Sequence, residues 1–155
     1  MIFSAASAQI AAPAPIEREA LARDAFATGL LRPGQGALEP TLWRGGDAAT
    51  LSQLLAAAPA RPATPSLGEV MRRVLLSAGT APEPALGAAP TELGGRKLIA
   101  LARAGFSEEA RTIASLSSAP QSDSWIAEAL ATADLLDGDI QRACGRSAGL
   151  QDGRD

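Results

Sequence analysis

Four carboxylates and one thiol are the side chains whose types and spacing invite a chemical reading. Glu108 and Glu109 are adjacent, and Asp134 and Asp137 lie three residues apart. Two carboxylates can divide general-acid and general-base work when both reach one substrate. Adjacent residues on a helix point to different faces, so Glu108 and Glu109 make a poor pair. Asp134 and Asp137 flank a helix end, where capping or solvation accounts for them. Cys144 is the single cysteine, which excludes an intrachain disulfide and a cysteine-rich zinc site. Its spacing from Ile140, Ala143 and Ser147 predicts a place on the inner face of the last helix, as an inert core residue. The chain has no His, and so lacks the commonest general base and the commonest metal ligand. Gly45-Gly46-Asp47-Ala48-Ala49-Thr50 has the glycines of a phosphate loop, but neither a preceding strand nor the Lys-Ser/Thr ending. No catalytic, cofactor-binding or metal-binding residue is therefore expected, and the chain is not expected to be an enzyme.

The elements that would position these groups are helices. The segment Ala100 to Leu150 reads as two copies of one helix–turn–helix unit. Gly105 and Gly138 are 33 residues apart, as are Ala110 and Ala143. A glycine just past a helix takes the left-handed cap conformation without a Cβ penalty. Ser107 and Asp139 follow as expected N-caps, and Glu108 and Glu109 suit the positive end of the helix dipole. Ala110 and Ala143 are small where two antiparallel helices must approach. Trp125, Ile126, Ala129, Leu130, Ala133 and Leu136 form the apolar stripe of the helix between the two turns. Of these, Trp125, Ile126, Leu130 and Ala133 are expected to be buried, with Ala110 and Ala143.

This pattern resembles the tetratricopeptide repeat family, on Gly105 with Ala110, Gly138 with Ala143, and the Leu130-Ala131 pair ahead of the second glycine. The resemblance spans residues 91–150, with its repeat-carrying stretch about a third of the chain. Lys97-Leu98 stands where the small residue of the leading helix belongs, and no Pro follows the second unit at the usual place. The resemblance implies short antiparallel hairpins stacked as a right-handed solenoid, whose concave face binds peptide segments or partner helices.

The rest of the chain reads as all-α too. Only 3% of residues are aromatic and β-branched runs are scarce, so strands are not expected. Residues 1–15 form an Ala/Pro-rich tail, expected to be disordered, in which Ala6-Ser7-Ala8 has the small-x-small form of a signal-peptidase site. A helix is expected over Ile16–Leu31, with Phe26 and Leu30 beside its apolar face. Asp47 is expected to cap a helix over Ala48–Ala58, buried through Leu51, Leu54 and Leu55. Ser66 with Glu69 reads as a capping box for the next helix, whose stripe is Val70, Met71, Val74 and Leu75, with Arg72 and Arg73 on a solvated face. Residues 16–78 thus form the N-terminal helices and 79–90 a Pro-rich linker. Thr91 is the expected cap of the helix that ends at Ala104.

With a net charge of −3 and no basic block, a nucleic-acid partner is not expected. No stretch reaches the roughly 18 apolar residues of a membrane span. The expected function is a non-catalytic scaffold or adaptor, periplasmic and part of a cell-envelope assembly, contacting a protein partner or a second copy through the 100–150 stack. The alternatives are a small envelope hydrolase using carboxylates and a helix-turn-helix DNA-binding protein. A cytoplasmic location is the alternative to the periplasm. No cofactor is implied.

Overall fold

A computed structural model describes residues 23–83, 89, 91–118 and 123–151. The tail reading of residues 1–15 and the front of the expected first helix, Ile16 to Ala22, lie outside the described residues. Among those described there are six α-helices and no strand: α1 (Ala48–Ala56), α2 (Pro65–Leu76), α3 (Glu92–Arg103), α4 (Ser107–Leu116), α5 (Ser124–Leu136) and α6 (Ile140–Gln151). Two short 3₁₀ turns, Pro33–Gln35 and Pro40–Trp43, precede them. The fold is all-α, with α3 at its centre. Helix α3 packs against α1, α2, α4 and α5, while α5 also packs against α4 and α6.

The two glycine turns match atom for atom in their hydrogen bonding. Gly105 and Gly138 have φ of 93° and 81°. Phe106 N donates to Leu101 O and Asp139 N to Asp134 O, at 2.9 and 2.8 Å. Gly105 N donates to Ala102 O and Gly138 N to Leu135 O, which completes a Schellman cap at each helix end. Ala110 and Ala143 are buried, with relative exposures of 1% and 3%. Ile126, Leu130 and Ala133 are buried as expected.

Several other expectations are corrected. No helix runs over residues 23–31. Thr28 N closes a single turn on Asp24 O, after which Leu30 N and Leu31 N both donate to Leu76 O. Thr28 and Gly29 are weak helix formers, and Gly29 lies directly against the backbone of Ala78, so tertiary pairing takes the segment. Phe26 of this stretch is buried and Leu30 partly so. Asp47 does cap α1, its Oδ2 accepting from Thr50 N at 2.6 Å. Helix α2 is capped not by Ser66 but by Thr64, whose Oγ1 accepts from Leu67 N, with Pro65 at the first helical position. Glu69 instead holds Arg72 at 2.9 Å. Arg73 is not simply solvated, because its Nε donates to Gly36 O. Ser107 lies inside α4 and is buried, since the Schellman turn places Phe106 at the cap position. Thr91 occupies the cap position of α3 without a capping bond and donates its hydroxyl to Asp123 Oδ2. Asp123 in turn caps α5, accepting from Trp125 N and Ile126 N.

The burial of four apolar residues also departs from the periodicity. Trp125 is only partly buried, its ring lying under the Arg96 guanidinium at 4.7 Å. Leu136 is exposed, because the turn to α6 begins at Asp137. Leu54 and Val70, expected on buried stripes, are 61% and 54% exposed. Nothing among the described residues covers the outer flank of α1 and α2.

Candidate interaction surface

The open flank is a cleft. Leu51, Leu54, Leu55 and Ala58 line one wall from α1 and the turn after it, and Val70, Met71, Val74 and Leu75 line the other from α2. Trp43, at the end of the second 3₁₀ turn, contributes to the lining and packs edge-on to Phe26 with ring centroids 6.5 Å apart. The cleft is open to solvent and has a volume of about 160 Å³. Each helix carries an apolar stripe too wide for the contact with α3, so one edge is buried and the other faces outward. On α1 the buried edge is Leu51 and Leu55, and on α2 it is Leu75 and Leu76. The linker after α1 carries Pro59 and Pro62, and Pro65 opens α2, so the chain cannot continue as one helix and the two stand as separate walls.

Behind the cleft, Lys97 fastens the N-terminal segment to the helices. It is 3% exposed, and its Nζ donates to Phe26 O, Thr28 O and Ser77 O at 3.1, 2.7 and 2.9 Å. Burial pushes its pKa down to about 8, while the nearby Asp24 charge acts in the opposite direction. An ammonium with three donors meets three carbonyls that no helix ladder satisfies there.

The 100–150 stack holds a second polar cluster, centred on a residue expected to be capping or solvated. Asp134 is fully buried. Its Oδ1 accepts from Arg111 Nε and Nη2 at 3.2 and 3.0 Å, and its Oδ2 from Arg146 Nε at 2.7 Å. Arg142 Nη1 lies 3.7 Å from Oδ1. Arg111 also holds Glu108 and Asp137, and its bond to Asp137 keeps that carboxyl below the usual carboxylate range. Helices α4, α5 and α6 are thereby tied through one carboxylate. Glu108 is exposed and Glu109 half-buried on α4.

Cys144 is exposed rather than buried. Ala143 takes the position against α5, and Cys144 lies a further 100° round the helix, where no described element packs. Of the expected repeat residues, Gly105, Gly138, Ala110 and Ala143 sit at the two turns and the helix contacts that follow them, and Leu130 is in the core. Trp125 stands between α3 and α5, where a Cβ at Gly95 would come within 2.6 Å of the Trp125 Cβ. Among the described residues no group of three or more His, Cys, Asp or Glu is arranged to hold a metal ion. No helix among them is long and apolar enough to cross a membrane. Comparison with protein-family models, with curated proteins and with solved structures finds no match.

Proposed function

We propose that this chain is a non-catalytic helical scaffold or adaptor that holds a protein partner, as a component of a periplasmic cell-envelope assembly. The observation that carries the proposal is the α1–α2 cleft, an apolar groove with Leu54 and Val70 open to solvent. A continuous apolar surface of this kind costs free energy in water until another chain covers it. The carboxylates a hydrolase would need are engaged elsewhere, Asp134 in a buried ionic cluster and Asp137 and Glu108 on Arg111. Periplasmic location rests on the signal-peptidase-like Ala6-Ser7-Ala8.

The tetratricopeptide-like solenoid belongs to the same proposal. It is supported by the matched Schellman turns and by core positions that recur at 33 residues: Leu93 with Ile126, Lys97 with Leu130, Ala100 with Ala133, and Ala110 with Ala143 are all buried. A second contact surface, the 100–150 stack itself, is favoured by Leu135, Leu136 and Ile140, which are 55–61% exposed around one turn. That surface would serve self-association or a further protein.

The test is capture from the chain's own cells with the intact protein as bait, beside Leu54→Lys and Val70→Lys variants. The expected result is a partner retained by the parent chain and lost by both variants. No retained partner, together with hydrolytic turnover that Asp134→Asn abolishes, would replace the scaffold with the enzyme.

A further inference from the structure

We propose that the groove between α4 and α6 receives a short non-helical segment of another protein, uncharged and with an apolar side chain set over Leu130. The inference rests on the scaffold reading and on the 33-residue equivalence of the hairpins, and it names the form of the partner. Arg111, Thr112 and Ser115 of α4 line one wall, Arg146 of α6 lines the other, and Leu130 of α5 is the floor. The groove is open to solvent and has a volume of about 290 Å³.

The chain itself fills one such groove. The segment Arg23 to Leu31 bridges α4 and α2 across α3. Just past α4, Ser118 N and Oγ donate to Arg23 O at 2.8 and 3.0 Å. Over α3, a Cβ at Gly94 would come within 3.0 Å of the Ala25 Cβ, and Lys97 Nζ donates to Phe26 O and Thr28 O. At the end of α2, Leu30 N and Leu31 N donate to Leu76 O. One repeat on, α4 and α6 pack on α5 as α2 and α4 pack on α3. Ala127 and Leu130 take the places of Gly94 and Lys97, each 33 residues later. The first groove thus holds a non-helical segment with Phe26 buried, while the second is lined by the three helices alone.

The polar atoms of the second groove fit a peptide group rather than an ion. Arg111, Arg142 and Arg146 face Glu108, Asp134, Asp137 and Asp139, so no surplus positive charge draws an anion. Glu109, half-buried on α4, adds a further negative charge. Arg111 is spent on Glu108, Asp134 and Asp137. Arg146 gives its Nε to Asp134 Oδ2, and its Nη groups bond nothing among the described residues. Thr112 and Ser115 donate their hydroxyl hydrogens to Glu108 O and Thr112 O at 2.9 and 2.8 Å, which leaves both oxygens as acceptors. One wall therefore offers donors and the other acceptors. A peptide group carries one C=O and one N–H and uses both, whereas a phosphate or carboxylate uses donors only. The floor is apolar Leu130 where the first groove has Lys97, so an apolar side chain meets it.

The experiment titrates the full isotope-labelled chain with a capped nine-residue peptide of the sequence Arg23–Leu31, whose one basic and one acidic side chain cancel. The expected result is saturable resonance shifts at Thr112, Ser115 and Arg146 that persist at about 1 M salt. A peptide carrying Phe26→Ala should bind about tenfold more weakly. The parent peptide should lose about as much on a Ser115→Trp chain, whose melting curve stays unchanged because Ser115 is exposed. Tighter binding by a Phe26→Glu peptide, or the same shifts from inorganic phosphate at equal concentration, would overturn the uncharged segment in favour of an anion. Shifts confined to Lys97 and Ser77, no shifts, or binding that Ser115→Trp leaves unchanged would overturn the groove as a peptide site. The capture experiment with the cleft variants would still decide the scaffold reading. Nuclear Overhauser contacts in the free chain from Ser115 to a residue outside the helices would overturn a foreign segment in favour of one from the same polypeptide. A dimer in sedimentation that Ser115→Trp dissociates would assign the groove to a second copy instead.

Discussion

Replacing Asp134 should loosen the whole 100–150 stack. The carboxylate is fully buried and accepts three charge-assisted bonds, two from Arg111 and one from Arg146. Removing one partner of a buried ionic group typically costs about 3–5 kcal/mol, because the remaining charge is left without compensation. Here the guanidinium side chains of Arg111 and Arg146 are 17% and 24% exposed, and Arg111 keeps Glu108 and Asp137. Both arginines can thus recover some hydration, which lowers the expected cost of Asp134→Leu to about 2–4 kcal/mol. Asp134→Asn keeps one acceptor oxygen and loses the charge, at a cost of about 1–2 kcal/mol. Urea denaturation followed by circular dichroism measures both. The double variant Asp134→Leu with Arg146→Leu should recover part of the loss, giving a coupling of about 0.5–3 kcal/mol in the mutant cycle. An Asp134→Leu chain within about 0.5 kcal/mol of the parent, or strictly additive single and double variants, would refute the idea that this carboxylate ties the three helices.

Ala110→Leu and Ala143→Leu should each destabilise by about 1–3 kcal/mol, because both side chains are buried at helix contacts that cannot admit the added methyl groups; thermal denaturation checks this. Gly138→Ala places a Cβ at a φ of 81° and should cost about 1–2 kcal/mol, measured in urea, although nothing else crowds that position. Lys97 gives a pH dependence of definite sign. With its folded pKa lowered to about 8 from 10.5, the unfolded chain binds more protons between those values. Stability should therefore rise from pH 8 to about 10.5, by up to roughly 3 kcal/mol, and Lys97→Met should flatten that slope in denaturation curves taken across the interval.

The sequence carries the helix content and the two glycine turns in plain form, because a left-handed cap is written by a single residue type at a single place. Helices α3 to α6 follow from those turns and from apolar spacing. The segment at residues 23–31 is different. Its apolar residues have helical spacing, yet its backbone is claimed by Leu76 and by Lys97, partners about 50 to 70 residues away that no local pattern announces. The 33-residue offset did hold a signal for Asp134. It aligns Asp134 with Leu101 and Arg146 with Ile113, and both of those are fully buried. An acid and a base substituted together at two core positions mark a buried ion pair, but only once the repeat is trusted to the single residue. The cleft was hidden by the opposite effect. Periodicity identifies an apolar stripe but not its cover, so Leu54 and Val70 read as core although nothing described lies over them. Cys144 fails for a related reason, since α6 has a packed neighbour on the α5 side alone among the described elements.

The most direct test of a partner held in the α1–α2 cleft is site-specific photo-crosslinking in the chain's own cells. A photoreactive residue is placed in turn at Leu54, at Val70 and, for comparison, at Glu128 on the exposed side of α5. The predicted result is one and the same protein adduct from positions 54 and 70, identified by mass spectrometry, and no such adduct from position 128. No adduct from 54 or 70, or the same spread of adducts from all three positions, would contradict a partner held in the cleft.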